Sequence, residues 1–532
     1  MPVSPTYPGV YVQKLESGVR TVAGVPTSIV GFIGTATRGP VNEPVTCFSF
    51  SDFTRAFGGL SASSTMSYCL DDFFANGGGQ AEIVRLFHAV DPENGDTGIA
   101  TLDVGGLALQ ASSPGAWGNS LRARVDHPEL TDEAAANAAA ERYGEAPGNL
   151  FTLTIEDEST GIVEVFQNLV AIEDGGERRF DRVLAEGSRL VQGTGAFIVA
   201  GRPSLTNNVP EPDFIQAQDG NEGAALDDAD ILGDETTKTG MHALRKTDIF
   251  NLLCIPPQDR AGTVSADVRE AAAQLARDRR ALFIVDPDDS WDAIPETATQ
   301  TVKAAQQDPT LALLSLTNAE HAALYFPRIR KRDRLRGGQV DTFPPCGAVA
   351  GVIARTDVQR GVWKAPAGIG ATITGTAGLT VKMSDSENGL LNPIGVNCLR
   401  SFPNIGHTVW GARTMKGSDA LSDDRKYVSV IRLENFIAES LYRGTQWVVF
   451  EGNDEPLWAE IRLSVGSFMQ RLFRDGAFQG TSPQEAFFVR CDRDTNTQDD
   501  INRGIVNIVV GYAPLQPAEF VVISIQQIRN AN

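Results

Sequence analysis

The run from Asp248 to Asp286 constrains the fold more than any other part of the chain. Residues 249–255 (IFNLLCI) form a continuous apolar stretch of strand length. From Ser265 to Arg280, Val268, Ala272 and Leu275 fall on one helical face, and residues 281–286 (ALFIVD) return as a second apolar strand. Strand, helix, strand at this spacing predicts a βαβ unit, because parallel neighbours need a long crossover. An α/β core with a mixed sheet follows. Residues 28–37 (SIVGFIGTAT), closed by Arg38-Gly39-Pro40, read as a further buried strand, and 81–87 as another. Between them, helices are predicted over 51–57 and 66–74. The second ends at Gly77-Gly78-Gly79. That triplet precedes a strand, whereas phosphate cradles sit between a strand and a following helix, so it reads as a helix stop.

From Asp91 to Thr239 the composition shifts to Gly, Ala, Asp and Glu. Alternating runs at 151–155 and 162–166 flank a Glu158–Gly161 turn. This stretch is expected to be an inserted, mostly β domain. Residues 211–235 hold nine acidic residues and no Lys or Arg. Calcium binding around Asp219, Asn221 and Glu222 does not match the spacing of a twelve-residue loop, so a solvated acidic loop is the favoured reading. Arg328 to Arg336 holds six basic residues in nine, read as a solvated face in preference to a site for an anionic partner.

Beyond residue 370 the patterning is strongest. Asn453-Asp454-Glu455 before Pro456 makes a helix start, and Leu457, Ile461, Val465, Phe468, Met469 and Leu472 then share one face up to Gly476. Arg462, Arg471 and Arg474 sit on other faces. A second helix is predicted over 432–443, strands over 446–451 and 486–491, and helices packed on one side of a small mixed sheet. Two more strands are predicted at 505–512 and 519–528, separated by Ala513-Pro514-Leu515-Gln516-Pro517. The two prolines fix φ and remove two donors, so this connector is stiff and holds the last strand away from its predecessor. Its apolar residues need a surface, and a neighbouring copy of the chain can supply one. At the other end, Pro2, Pro5 and Pro8 precede Val10-Tyr11-Val12, an extended arm with one short strand.

The 532 residues therefore divide into an N-terminal arm (1–22), an α/β core (23–90 with 240–370), the insertion (91–239), an α+β C-terminal domain (371–516) and a C-terminal arm (517–532). The balance of 46 Lys plus Arg against 67 Asp plus Glu, net −21, argues against a nucleic-acid partner. Six dispersed cysteines without Cys-x-x-Cys indicate neither a zinc site nor a disulfide framework, and fit a reducing compartment. The N-terminus lacks a signal-peptide pattern and no segment has the length of a membrane span, so no membrane insertion is expected. Five histidines, at 88, 127, 242, 321 and 407, lie in no nucleophile, base or metal motif. No catalytic residue, metal or cofactor is expected. A serine hydrolase assembled from distant residues remains the alternative, and a secreted adhesin a third class.

Four long segments carry a family resemblance: PPCGAVAGVIARTDVQRGVWKAPAG (344–368), LNPIGVNCLRSFPNIGHTVWGARTM (391–415), RKYVSVIRLENFIAESLYRGTQWVVFEGNDEPLW (425–458) and GIVNIVVGYAPLQPAEFVVISIQQI (504–528). With TYPGVYV (6–12) and FFANGGGQAEIVRLF (73–87), they resemble contractile tail sheath proteins of phages, extracellular contractile injection systems and R-type tailocins. The region from 91 to about 239 does not contribute. The resemblance implies a non-enzymatic structural subunit, made in the bacterial cytoplasm and carried in a phage tail or released contractile particle. Its partners would be further copies in a helical homopolymer, an inner tube protein, and baseplate and terminator or cap proteins. It further implies strand donation between copies by Val10, Tyr11 and Val12 and by Phe520, Val521, Val522, Ile523 and Ile525. The acceptor sheet would contain Ile505, Val506, Ile508, Val509 and Val510. The 425–515 region would face the tube through Arg462, Arg471 and Arg474, with the insertion outside.

Overall fold

The computed structural model describes residues 20–130, 132–172, 176–194, 202–206, 213–291, 303, 307, 318–419, 423–520 and 522. These fall into two compact units. One consists of 28–355 and 367–423, and the other gathers residues up to 27, 356–366 and 424 onward.

The first unit is built on an eight-stranded sheet. Its order is Gly406–Val409, Val396–Phe402, Ala322–Phe326, Leu282–Val285, Leu252–Cys254, Ile29–Gly34, Gln80–Arg85, Val45–Cys47. The six inner strands are parallel and the two outermost pair antiparallel, so the sheet is mixed, as the βαβ pattern requires. The predicted strand at 249–255 shortens to Leu252–Cys254, and the crossover helix is Ala266–Asp278, with Val268, Ala272 and Leu275 buried. Small residues in the 28–37 run have a packing cause. A Cβ at Gly31 would stand 2.8 Å from Leu244, and one at Gly34 3.0 Å from Met66. Val396–Phe402 and Gly406–Val409, grouped by sequence with the C-terminal domain, extend this sheet instead.

Helices Phe50–Phe57 and Thr65–Ala75 appear where their spacing placed them, each with a serine N-cap, Ser49 and Ser64. Helix Cys346–Arg360 packs on the second of these through Gly347 and Gly351, where any Cβ would strike the Cys69 and Phe73 carbonyl oxygens. The insertion carries a four-stranded antiparallel sheet, Ile215–Gln216, Leu121–Asp126, Phe151–Asp157 and Ile162–Leu169. A three-stranded sheet, Thr101–Val104, Leu107–Ala111 and Val191–Gly193, lies about the same apolar core.

The basic run at 328–336 is solvated on one face only, with Arg330, Arg332, Arg334 and Arg336 exposed. Ile329–Asp333 is a strand paired with Gln339–Phe343, and Arg328, Lys331 and Asp333 are buried. Lys331 Nζ meets Asp72 Oδ1 at 2.6 Å, and Arg260 Nη1 and the Tyr68 hydroxyl donate to Asp333, both at 2.7 Å. Charges this deep persist because they are paired and hydrogen-bonded. Burial still pushes the Asp72 carboxyl up to about 6, against the pull of Lys331.

In the second unit, helices Val428–Gly444 and Glu455–Arg474 bury one face each. The latter begins as predicted, with Asp454 accepting from the Leu457 amide and Pro456 in the first turn, and all six residues of its apolar face are buried. Its sheet is a two-stranded antiparallel pair, Phe487–Arg490 with Val509–Tyr512, not the expected small mixed sheet. The predicted strand at 446–451 is absent. Gln446–Val448 is a single 3₁₀ turn, and Phe450 at φ +71 breaks the extended path.

Candidate assembly interface

The second unit is assembled from three distant stretches, and the arm root is one of them. Arg432 donates from Nη1 and Nη2 to the two oxygens of Asp357, at 2.7 and 2.6 Å, and from Nη2 to the Thr27 carbonyl at 2.6 Å. One planar guanidinium thus fastens residues 20–27, 356–366 and helix 428–444 in a geometry that lysine cannot supply. The rest of the root is held residue by residue. Val22 is buried against Gly444, the Arg471 guanidinium donates to the Val22 carbonyl at 2.8 Å, and the Ser464 hydroxyl donates to that of Arg20. The Val25 amide donates to Ser440 Oγ at 3.2 Å, and Arg20 lies 4.7 Å over the Trp447 ring. Nothing in the sequence signalled this docking, because its partners lie more than 400 positions apart.

The two-stranded sheet has no third strand among the described residues. Of the predicted acceptor residues, Val509 and Val510 are in it. Ile505, Val506 and Ile508 precede it, so the strand is shorter than 505–512. Val506, Ile508 and Val510 pack against the unit's apolar core. The sequence reading omitted the partner strand 487–490 from the acceptor residues, although alternation at 486–491 had marked it as a strand. The connector leaves at Ala513, whose amide donates to Ala486 and whose carbonyl accepts from Gln479, and Pro514 bridges to Phe478.

Beyond Pro517, Phe520 and Val522 are 74% and 88% exposed and lie in no strand. Val521, Ile523 and Ile525, like Val10, Tyr11 and Val12, lie outside the described residues. Arg462 is half-buried and Arg471 exposed, and each makes a bond within the subunit, Arg471 to the Val22 carbonyl. Arg462 pairs with Glu455 at 2.6 Å and donates to the Cys491 carbonyl, while Arg474 is exposed.

His88 Nδ1 meets Asp230 Oδ2 at 2.8 Å, His127 meets the Pro203 carbonyl, and burial and, less strongly, the Lys382 charge lower the His407 pKa. His88, Asp227 and Asp230 place one ligand atom each within 4.8 Å of one another, but both aspartates are already engaged in capping helix 228–232. All six cysteines are free and buried.

Residues 235–415 match the phage tail sheath protein central domain, and 422–528 the phage tail sheath C-terminal domain. The chain belongs to the contractile tail sheath family. This is a structural family, and the hydrolase and adhesin readings fall away. A tail sheath protein of Burkholderia phage BcepMu is 25% identical over 530 residues, covering 96% of this chain and 94% of that one. A tail sheath protein of Vibrio phage KVP40 is 25% identical over 182 residues, 34% of this chain and 26% of the other. Among solved structures, the sheath tail protein of Listeria innocua aligns with TM-score 0.59 at 13% identity, covering 93% of this chain and 96% of that one. The contracted sheath of an extracellular contractile injection system gives 0.55 at 19%, with 99% of each chain covered. The contracted helical sheath of the anti-feeding prophage gives 0.54 at 21%, over 98% and 100%. These likenesses are of fold, and they extend over the insertion that the sequence motifs left out.

Proposed function

We infer that the chain is the structural subunit of a contractile tail sheath, polymerising helically and shortening to drive an inner tube through a target envelope. The match of two sheath domains, in order and spanning 235–528, carries this reading. Further copies, the tube protein, the baseplate and the terminator are its partners, and assembly takes place in the bacterial cytoplasm.

The linkage between copies is strand donation. An isolated two-stranded sheet is marginal in water, and here each strand has an edge without a partner strand among the described residues. Residues 20–27 are rooted on the same unit from which the 513–522 segment departs. The exposed Phe520 and Val522 each gain about 1.5–3 kcal/mol on full burial, against about 1–2 kcal/mol per residue to order the backbone. Alone the arm gains little. Added as a strand to another copy's sheet it also gains the ladder hydrogen bonds. Because donor and acceptor are different surfaces, the contact is heterologous and builds an open helix. Contraction is then a rearrangement of rigid bodies with the arms as hinges.

Removal of residues 517–532 tests this. The expected product is a folded subunit that forms no tubes or rings by negative-stain microscopy while the full chain does. A truncated chain that still forms tubes would sink strand donation.

A further inference from the structure

The loop joining the two long helices of the C-terminal unit presents an apolar tip. Val449 is 64% exposed and Phe450 wholly so, and Phe450 sits at φ +71, a conformation that bulky side chains adopt at a cost. The tip is fixed. Its backbone is tied by Val449 N–H to the Gln446 carbonyl at 3.3 Å and Glu451 N–H to the Val448 carbonyl at 3.2 Å. Asn453, just beyond, donates to the Ile505 carbonyl and accepts from Trp458 Nε1, both at 2.9 Å. A phenylalanine at positive φ and fully in solvent gains no burial within its own subunit.

The same unit carries a cleft of about 470 Å³ beside the proline connector, with Trp363, Ala365, Leu515 and Pro517 among its walls. Arg360 and Lys364 line it against one carboxylate, Asp475. Neither cation has a carboxylate within ion-pair distance among the described residues; the Lys364 ammonium donates only to the Ala365 carbonyl, at 2.8 Å. Burial and, less strongly, the neighbouring Arg360 charge lower the Lys364 pKa, so an anion entering here meets an under-compensated cation. The tip has the complementary chemistry: Phe450 is followed by Glu451, an exposed carboxylate whose recorded partner is Arg20 at 4.0 Å.

We propose that the Val449–Phe450–Glu451 tip of one copy seats in the 363–365/515–517 cleft of a neighbouring copy, Phe450 against the apolar walls and Glu451 toward Arg360 and Lys364. The chain's own tip does not fill its cleft, since Phe450 is wholly exposed. Knob and cleft are different surfaces, so the contact propagates instead of closing a dimer. This contact rests on the polymer reading above and adds to it a second junction, made by folded surface instead of exchanged strands.

The test mixes two singly substituted full-length chains, Phe450→Cys and Lys364→Cys, with oxidised glutathione. Native cysteines are all buried, so the new thiols react first. A disulfide-linked heterodimer is expected under tube-forming conditions, absent from either chain alone and from a control pairing Phe450→Cys with Ser386→Cys. In parallel, Lys364→Glu is expected to raise the concentration needed for tubes about tenfold, and Lys364→Glu with Glu451→Lys to restore it. Tubes without the cross-link and without charge rescue would overturn the contact and leave the polymer standing. A full chain that never polymerises overturns both.

Discussion

The sheet unit and the C-terminal unit bury their polar backbone in different ways. The former finishes its parallel sheet with antiparallel strands, Val45–Cys47 and Gly406–Val409, and fills its interior with an apolar cluster running from Ile29 to Met415. The latter stops at two strands and leaves Phe488, Val509, Phe520 and Val522 in contact with solvent. The second unit has a two-stranded sheet with both outer edges unpaired among the described residues, and it is on this contrast that the proposed strand donation rests.

The strongest way to break this contrast is to remove the clasp of the C-terminal unit. Arg432→Met leaves Asp357, 2% exposed, as an unpaired buried charge, at a cost of about 3–5 kcal/mol. By hydrogen exchange, amides of 428–444 should lose protection while those of 322–326 keep theirs, and Arg432→Met with Asp357→Leu should recover most of the loss. Equal loss in both units would refute the independence argued above.

A smaller effect sharpens the contrast from the other side. Burial raises the Asp286 carboxyl from 3.8 to about 6, although its Oδ1 caps the Cys346 amide at 2.9 Å. With the folded value above the unfolded one, its contribution to stability is complete below about pH 4 and lost as pH rises through about 6. Asp286→Asn keeps the acceptor without the charge. It should flatten the pH dependence of the sheet unit between pH 4 and 6 and stabilise that unit at pH 7 by about 1–3 kcal/mol, with helix 455–474 unaffected. An unchanged slope in urea titrations would count against this assignment.

The smallest effect is also the most pointed. Phe450→Gly relieves the positive φ and should raise subunit stability by about 1 kcal/mol, read as a rise in melting temperature, while weakening tube formation. A variant that is more stable and assembles equally well would remove Phe450 from the interface.

Much of the sheet unit was legible because its signals are local. Apolar runs marked Ile29–Gly34 and Leu282–Val285, and helical spacing marked 266–278. Helix 455–474 was equally plain, since Asp454, Pro456 and the apolar face all act within a few turns. The misreadings share a cause. Four of the six basic residues at 328–336 are solvated as expected, but Lys331 is met by Asp72, and Asp333 beside it by Tyr68 and Arg260, partners tens to hundreds of positions away. Residues 446–451 have strand composition, yet the turn after helix 428–444 governs their path. The candidate interface divided in the same way: strands 487–490 and 509–512 showed in their patterning, whereas the seat of residues 20–27 is made wholly by distant partners.

That seat bears on the order in which the molecule is made. Val22 is fastened by Arg471, 449 positions later, and Val25 by Ser440, 415 positions later. During synthesis at about 5–20 residues per second, the sheet unit has most of its strands in hand well before either partner emerges. Contacts of such separation form last. A nascent chain therefore cannot complete the seat of residues 20–27 until helix 455–474 has been made.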